Sequence, residues 1–362
     1  MGSSGSTGVQ LAGDLATDIA ADAFSAAARP AGVEPDLSNL ADLSGLVKRW
    51  LEQQWSGRED ALNSICRYAI LPTGKLFRPV LLLESTAAVG GDLISALPAA
   101  AGAECGHVAS LIHDDIIDND NLRRGRQSVQ CKYGIADAIV AGDALIFHLF
   151  ASLAECRSSG IPDARVVSAL AAVAQAGIDL CHGQVLEAEL GRGSCFGVDS
   201  YLRMAILKTG ALFRGACECG AILGGGDPES VRGLAAYGEH LGLAFQIRDD
   251  LLPYVSDTAT SGKRETSDVQ NGLWTLPVIM AYERANGQDR DGITRALRGS
   301  EDPVEALAVL RGIVTRTQAT ETAADMAGAH ARLSRQALAG LPLTPSRDRL
   351  EYFAELAIAR DR

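Results

Sequence analysis

Positive charge is in short supply in this 362-residue chain, and lysine is scarcer still. The formal net charge is −12, and only five of the 33 basic residues are lysines, at 48, 75, 132, 208 and 263. A clustered basic surface for nucleic-acid phosphates is not expected from such a balance. It leaves anionic small molecules open, because a bound divalent cation inverts the local charge. The eight cysteines show no CxxC pairing and no zinc-type alternation with histidine. They read as reduced thiols of a cytosolic protein. No basic segment followed by an apolar core opens the chain, so no signal peptide is expected. No apolar run reaches the roughly 18–20 residues of a bilayer span, so no transmembrane segment is expected either. Aromatics are few: three Trp, seven Tyr and eight Phe. No repeat of 20–50 residues points to a solenoid.

What is present is helical periodicity. Residues 1–37 are rich in Gly, Ser, Ala and Asp and read as a flexible leader; residues 38–362 read as a single domain. Apolar residues recur at i, i+3 and i+4 over Leu43–Trp55, Ala99–Ile117, Ala136–Leu153, Val166–Leu190, Tyr201–Leu223, Val231–Leu252 and Leu307 onward. Ala and Leu dominate these stretches and both favour helix. The fold class is all-α, with long core helices.

Two acidic clusters end long apolar stretches. In His113-Asp114-Asp115-Ile116-Ile117-Asp118, the i, i+4 spacing puts Asp114 and Asp118 about 40° apart on one helix face, with Asp115 near it. Carboxylates at a helix C-terminus repel one another and oppose the macrodipole, a cost that Mg²⁺ shared with phosphate oxygens removes. Arg123 and Arg124 follow closely, and Arg suits phosphate through its planar fork. The second cluster is Phe245-Gln246-Ile247-Arg248-Asp249-Asp250. Lys208-Thr209 lies inside a helical stretch, where an ammonium needs a partner or a bound anion. Lys263 follows Gly262, and Lys75 stands three residues before Arg78.

These residues resemble the trans-isoprenyl diphosphate synthase (polyprenyl synthetase) family over roughly residues 40–360. The motifs run in family order: GKLFRP at 74–79, His107, HDDIID at 113–118, RRG at 123–125, GQ at 183–184, KT at 208–209, FQIRDD at 245–250, GK at 262–263 and TLP at 275–277. The resemblance implies a helical bundle with a central cavity, usually a homodimer, acting on an allylic diphosphate and isopentenyl diphosphate with Mg²⁺. It places Asp114, Asp115, Asp118 and Asp249 on the metals and Arg123, Lys208 and Lys263 on the allylic diphosphate. Thr209 and Gln246 would lie along the allylic carbons, and Lys75, Arg78, His107 and Arg124 would bind isopentenyl diphosphate.

Three positions depart from the family pattern. Pro253 stands where a third Asp closes the second cluster, Leu273 where a Lys is usual, and Glu187 where GQxxD has its Asp. Pro253 lacks the N–H that would bond the carbonyl of Asp249, so the helix should kink or stop there. Two other readings stay open: a relative that ionises a prenyl diphosphate but cyclises it or passes it to another acceptor, and a non-catalytic partner subunit. Cyclisation favours an aromatic-lined cavity, which this composition disfavours. Small residues before Asp114, namely Gly106, Ala109 and Ser110, imply a deep tunnel and a product of C20 or longer, with Phe147 or Phe150 as floor.

Overall fold

The computed structural model describes residues 40–57, 60–192, 196–255, 266–299 and 302–359. The leader, Cys195 and Lys263 lie outside these residues. The described residues are 79% helical, which bears out the all-α expectation. The helices are α1 (Leu40–Gln54), α2 (Ala61–Ile70), α3 (Phe77–Ala88), α4 (Leu97–Ile117), α5 (Val129–Tyr133), α6 (Ile135–Glu155), α7 (Asp163–Gly191), α8 (Val198–Ala205), α9 (Ala211–Gly224), α10 (Pro228–Val255), α11 (Ser267–Gln270), α12 (Leu276–Arg284), α13 (Gly287–Leu297), α14 (Pro303–Arg316), α15 (Ala319–Ala337) and α16 (Pro345–Ala359). The apolar stretch that begins at Leu307 is thus broken into three helices.

Local chemistry sets several boundaries. Asp60 caps α2, its Oδ1 accepting from the Asn63 N–H at 2.8 Å. Asp302 caps α14 in the same way with Pro303 in its first turn. Helix α9 ends at Gly225 in the left-handed conformation (φ 82°). Between α8 and α9 the backbone widens into a π-helical turn, Ile206–Gly210, which carries Lys208 and Thr209. Such turns often mark functional sites.

Packing builds two joined cores. One runs through α1–α7, α9 and the first part of α10 and includes Leu43, Leu81, Leu82, Leu145, Phe213 and Leu234. The other gathers α8, the end of α10, and α12–α15 around Tyr201, Ile247, Leu276 and Leu310. Helix α16 closes the first core: Phe353 meets Phe77 edge-on at 5.6 Å, and Arg349 clamps the fully buried Glu84 of α3 at 2.5 and 2.9 Å.

Two findings revise the sequence reading. Helix α10 continues through Pro253 to Val255. Proline sits there in the last turn, and its carbonyl accepts from Arg311 Nε at 2.5 Å. Helices α6 and α7 are also long and apolar enough, by length and composition, to cross a membrane, although no uninterrupted apolar run signals it. Only 28% and 22% of their apolar windows are buried in the bundle. Val140 and Phe147 of α6 and Val167, Ile178 and Val185 of α7 face outward and are exposed.

Candidate active site

The acidic end of the bundle draws on α4, α7, α8, the π turn, α10, α11 and α12. At the C-terminus of α4, Asp114 and Asp118 face the Lys208–Glu187 pair; Lys208 Nζ lies 2.5 Å from Glu187 Oε2. Gln184 Nε2 donates to the same Glu187 oxygen at 3.1 Å. Close approach of α7 to the π turn depends on Gly183, where a Cβ would come within 2.3 Å of the Lys208 backbone nitrogen. Burial disfavours the charge on Lys208, but Glu187, Asp114 and Asp118 outweigh it and its pKa is raised. The ammonium expected to need a partner has one, and it stays a cation. Burial raises Asp114 against the pull of Lys208, and pushes Asp118 up to about 6.

Asp250 does a different job. It accepts from Tyr201 Oη at 2.6 Å, from Gln246 Nε2 at 2.8 Å and from the Leu276 backbone N–H at 3.2 Å. Thr209 Oγ1 donates to Gln246 Oε1 at 2.7 Å. One carboxylate therefore ties α8, α10 and α12 together and orients Gln246 and Thr209. Tyr201, Gln246, Asp250 and Thr209, with Glu187, Lys208, Asp268 and the wall Leu273-Trp274, line an open cleft. Burial and the carboxylates of Asp250, Glu187, Asp118 and Asp249 push Asp268 up to about 7. Asp268 was not picked out from the sequence; its spacing from the other acids gives no local signal.

Asp115 and Arg123 are drawn to each other instead. Asp115 is 2% exposed and bonds Arg123 through both Nε, at 2.7 Å, and Nη2. Its position is 100° around the helix from Asp114, enough to turn it toward the following hairpin. That hairpin pairs Leu122 with Gln127 and Arg123 with Arg126, and its turn holds Arg124 and Gly125 at φ 50° and 77°. A two-residue turn with both φ positive matches the twist of the flanking strands and sends the two arginines opposite ways. Arg123 goes to Asp115, and Arg124 goes to Glu104, at 3.9 Å.

Arg78, His107, Arg124 and the unforeseen Glu104 form the second half of the site. Arg78 stacks over the Phe213 ring at 4.5 Å and donates from Nη1 to His107 Nε2 at 3.2 Å. Burial lowers its pKa to about 10, with Glu104 and Asp249 opposing. Burial and the charges of Arg78, Arg124 and Arg123 hold His107 well below the usual imidazole range, hence neutral. Arginine can only donate, so Nε2 accepts and the imidazole proton sits on Nδ1. Arg78 Nε and His107 Nδ1 are both buried with no hydrogen-bond partner. Buried donors of this kind are rarely left unmade. Lys75 is exposed on the loop before α3. Glu104 had one sequence signal: it precedes His107 by one helical turn.

From Arg78 and His107 an apolar cavity runs between α3, α4, α6, α7 and α9. Leu82, Ala103, Gly106, Leu149, Leu153 and Val173 are among its walls, with no Phe, Tyr or Trp. Gly106 lets α6 come close; a Cβ there would meet Leu149 Cδ2 at 2.9 Å. Ala109 is fully buried but lies off this lining, about 60° back around the helix from Gly106. Ser110 turns its hydroxyl to the His107 carbonyl at 2.8 Å. Phe147 is 72% exposed and cannot floor a cavity within this chain, because the phase of α6 turns Leu149 and Leu153 inward instead. Phe150 is half-buried and also off the lining.

A sequence model of the family described as "Polyprenyl synthetase" matches residues 59–313. The chain belongs to the polyprenyl synthetase family. It is a prenyltransferase of the trans-isoprenyl diphosphate synthase type. It is 37% identical over 302 residues to the short chain isoprenyl diphosphate synthase of Methanothermobacter thermautotrophicus, covering 83% of this chain and 91% of that one. It is 33% identical to the geranylgeranyl pyrophosphate synthase of Geoglobus acetivorans, covering 89% and 98%. Among solved structures, the geranylgeranyl pyrophosphate synthetase of Pyrococcus horikoshii superposes with a TM-score of 0.82 at 31% identity, covering 89% and 97%. Polyprenyl synthetases generally depend on divalent metal and act on allylic and isopentenyl diphosphates.

Among the described residues no three His, Cys, Asp or Glu side chains form a closed metal cage. The oxygen-only donor set at the acidic end fits ions held jointly by a few carboxylates and a diphosphate, which is how Mg²⁺ is usually bound.

Proposed function

We propose that the chain elongates an allylic diphosphate with isopentenyl diphosphate in a Mg²⁺-dependent reaction, giving a trans product of C20 or longer. The observation that carries this reading is the pair of buried, unpartnered donors, Arg78 Nε and His107 Nδ1, at the mouth of an aliphatic cavity beside an acidic cluster. An anionic head and a long apolar tail fit that combination, with a second anion at the acidic end.

Asp114, Asp118 and Asp249 would hold the metal, with Asp115 turned aside to Arg123. When bound, the metal supplies positive charge that stabilises the departing diphosphate. Lys208, kept cationic by its acidic neighbours, adds to that stabilisation. Arg123 and Lys263 complete the proposed grip on the allylic diphosphate, with Gln246 and Thr209 beside the allylic carbons. Arg78, His107, Arg124 and Lys75 would seat isopentenyl diphosphate so that its double bond faces the ionising carbon, and Glu104 balances the two arginines. The allylic C–O bond breaks, the double bond attacks the cation, and the proton lost passes to the released diphosphate. Positioning and electrostatics supply the catalysis, so no nucleophilic side chain is required.

The outward apolar faces of α6 and α7 fit a second copy of the chain, and we include a homodimer in the reading. The seven described cysteines are free thiols, which supports a reducing, cytoplasmic setting. A cyclase is disfavoured by the aliphatic lining.

Incubation of the pure chain with an allylic diphosphate, labelled isopentenyl diphosphate and Mg²⁺ tests the reading. Incorporation of label into a longer prenyl diphosphate is the expected result. Diphosphate release without incorporation would move the assignment to another acceptor, and no turnover at all would leave a partner subunit.

A further inference from the structure

Four of the six histidines have evident places. His107 belongs to the site, His113 lies 3.7 Å from Asp143 of α6, His148 packs on Trp55 with ring centres 4.6 Å apart, and His182 is exposed on α7. The remaining two, His240 and His330, meet far along the sequence on the seam between α10 and α15. These helices run antiparallel in close contact: a Cβ at Gly233 would lie 2.8 Å from the Ala337 carbonyl oxygen, and Ser334 Oγ donates to the Tyr237 carbonyl at 3.0 Å. One turn further along each helix, the two Nδ1 atoms face each other at 3.2 Å, with ring centres 5.3 Å apart and planes at 39°.

Zn–N bonds of about 2.0–2.1 Å at a tetrahedral angle place two ligand nitrogens about 3.3–3.4 Å apart. The Nδ1 separation already lies near that bite without movement of either helix. Burial and the neighbouring His240 lower the pKa of His330, so the neutral, ligating form prevails at neutral pH. Both rings are half-buried, which leaves the outer coordination positions to water.

We propose that His240 and His330 form a two-imidazole chelate for one divalent transition-metal ion of the zinc class, separate from the oxygen-lined Mg²⁺ site. Imidazole nitrogen selects borderline ions over Mg²⁺, so Mg²⁺ does not compete for this pair. Metal binding needs both Nδ1 atoms free, so the single proton between them moves to the Nε2 of the ring that carried it and both imidazoles stay neutral. The ion then staples α10 to α15, less than two turns from Gln246 and less than three from Asp250, and stabilises the folded chain by linkage. The inference does not depend on the prenyl-transfer reading.

The test uses the full chain stripped of metal and titrated calorimetrically with Zn²⁺ in excess Mg²⁺, which occupies the carboxylates. One equivalent of Zn²⁺ is expected for the wild type and for His182→Ala, together with a rise in Tm. Both the equivalent and the rise should disappear in His240→Gln and in His330→Gln, where a side-chain hydrogen bond remains possible but the imidazole is gone. Absence of Zn²⁺ uptake by the wild type, or unchanged uptake by either Gln variant, overturns the proposal. If a variant folds poorly, Cu²⁺ bound to the wild type decides: its spin-resonance spectrum should show two imidazole nitrogens, and one or none refutes the chelate.

Discussion

The depth of the apolar cavity makes product length the most direct test of the structure. Ala103 lines the cavity one helical turn below His107, whereas Ala109 is fully buried off it. Ala103→Phe puts a ring into the space where the growing chain must pass. Each further addition must then push that ring against walls such as Leu82 and Leu149. Overpacking of this kind costs about 1–3 kcal/mol. Charged to the next addition, that is roughly a 5- to 150-fold slower step, so products should stop one or more isoprene units earlier. Ala109→Phe has no cavity to fill and should destabilise the protein instead, leaving the lengths made by the surviving fold unchanged. Chain lengths of the labelled products, resolved chromatographically for wild type and both variants, provide the comparison. A shortened product from Ala109→Phe with unchanged lengths from Ala103→Phe would refute the placement of the tunnel.

Three further outcomes are expected. Arg349→Ala strands the fully buried Glu84 carboxylate that α16 now clamps, so denaturant unfolding should show a loss of about 3–5 kcal/mol. Glu104 is 1% exposed, and burial, opposed by Arg124 and Arg78, raises its pKa from 4.5 to about 7. A raised carboxyl holds its proton more tightly in the folded state, so its contribution is present below the unfolded pKa and is lost as pH climbs from about 4.5 through 7. That loss amounts to about 3 kcal/mol. Unfolding measured against pH should therefore decline less steeply for Glu104→Gln over that range. Phe147→Asp, on the exposed face of α6, should shift sedimentation toward the monomer while far-UV dichroism stays native.

Much of the site was legible because its chemistry is local. Asp114 and Asp118 share a face through i, i+4 spacing alone, and the cost of buried Lys208 already required the partner that Glu187 provides. The side-chain ordering around them was not legible. Asp115 was grouped with its neighbours, but a two-residue hairpin turn, visible only once Leu122 pairs with Gln127, delivers Arg123 to it. Pro253 signalled a helix end and in fact sits in the last turn, where its missing N–H matters little.

By itself, the sequence determined the all-α class, the family, the two acidic helix ends and the cations that answer them, because composition, periodicity and short-range spacing are properties of the chain. Only the tertiary structure decided which helix face meets which. It turned Phe147 outward, moved the cavity wall from Ala109 to Ala103, made Asp250 a structural acceptor for three donors, and brought Glu104 to Arg124 and His240 to His330. Those pairings are set by the phase and crossing of helices distant in sequence, and they depend on the packing of the whole core.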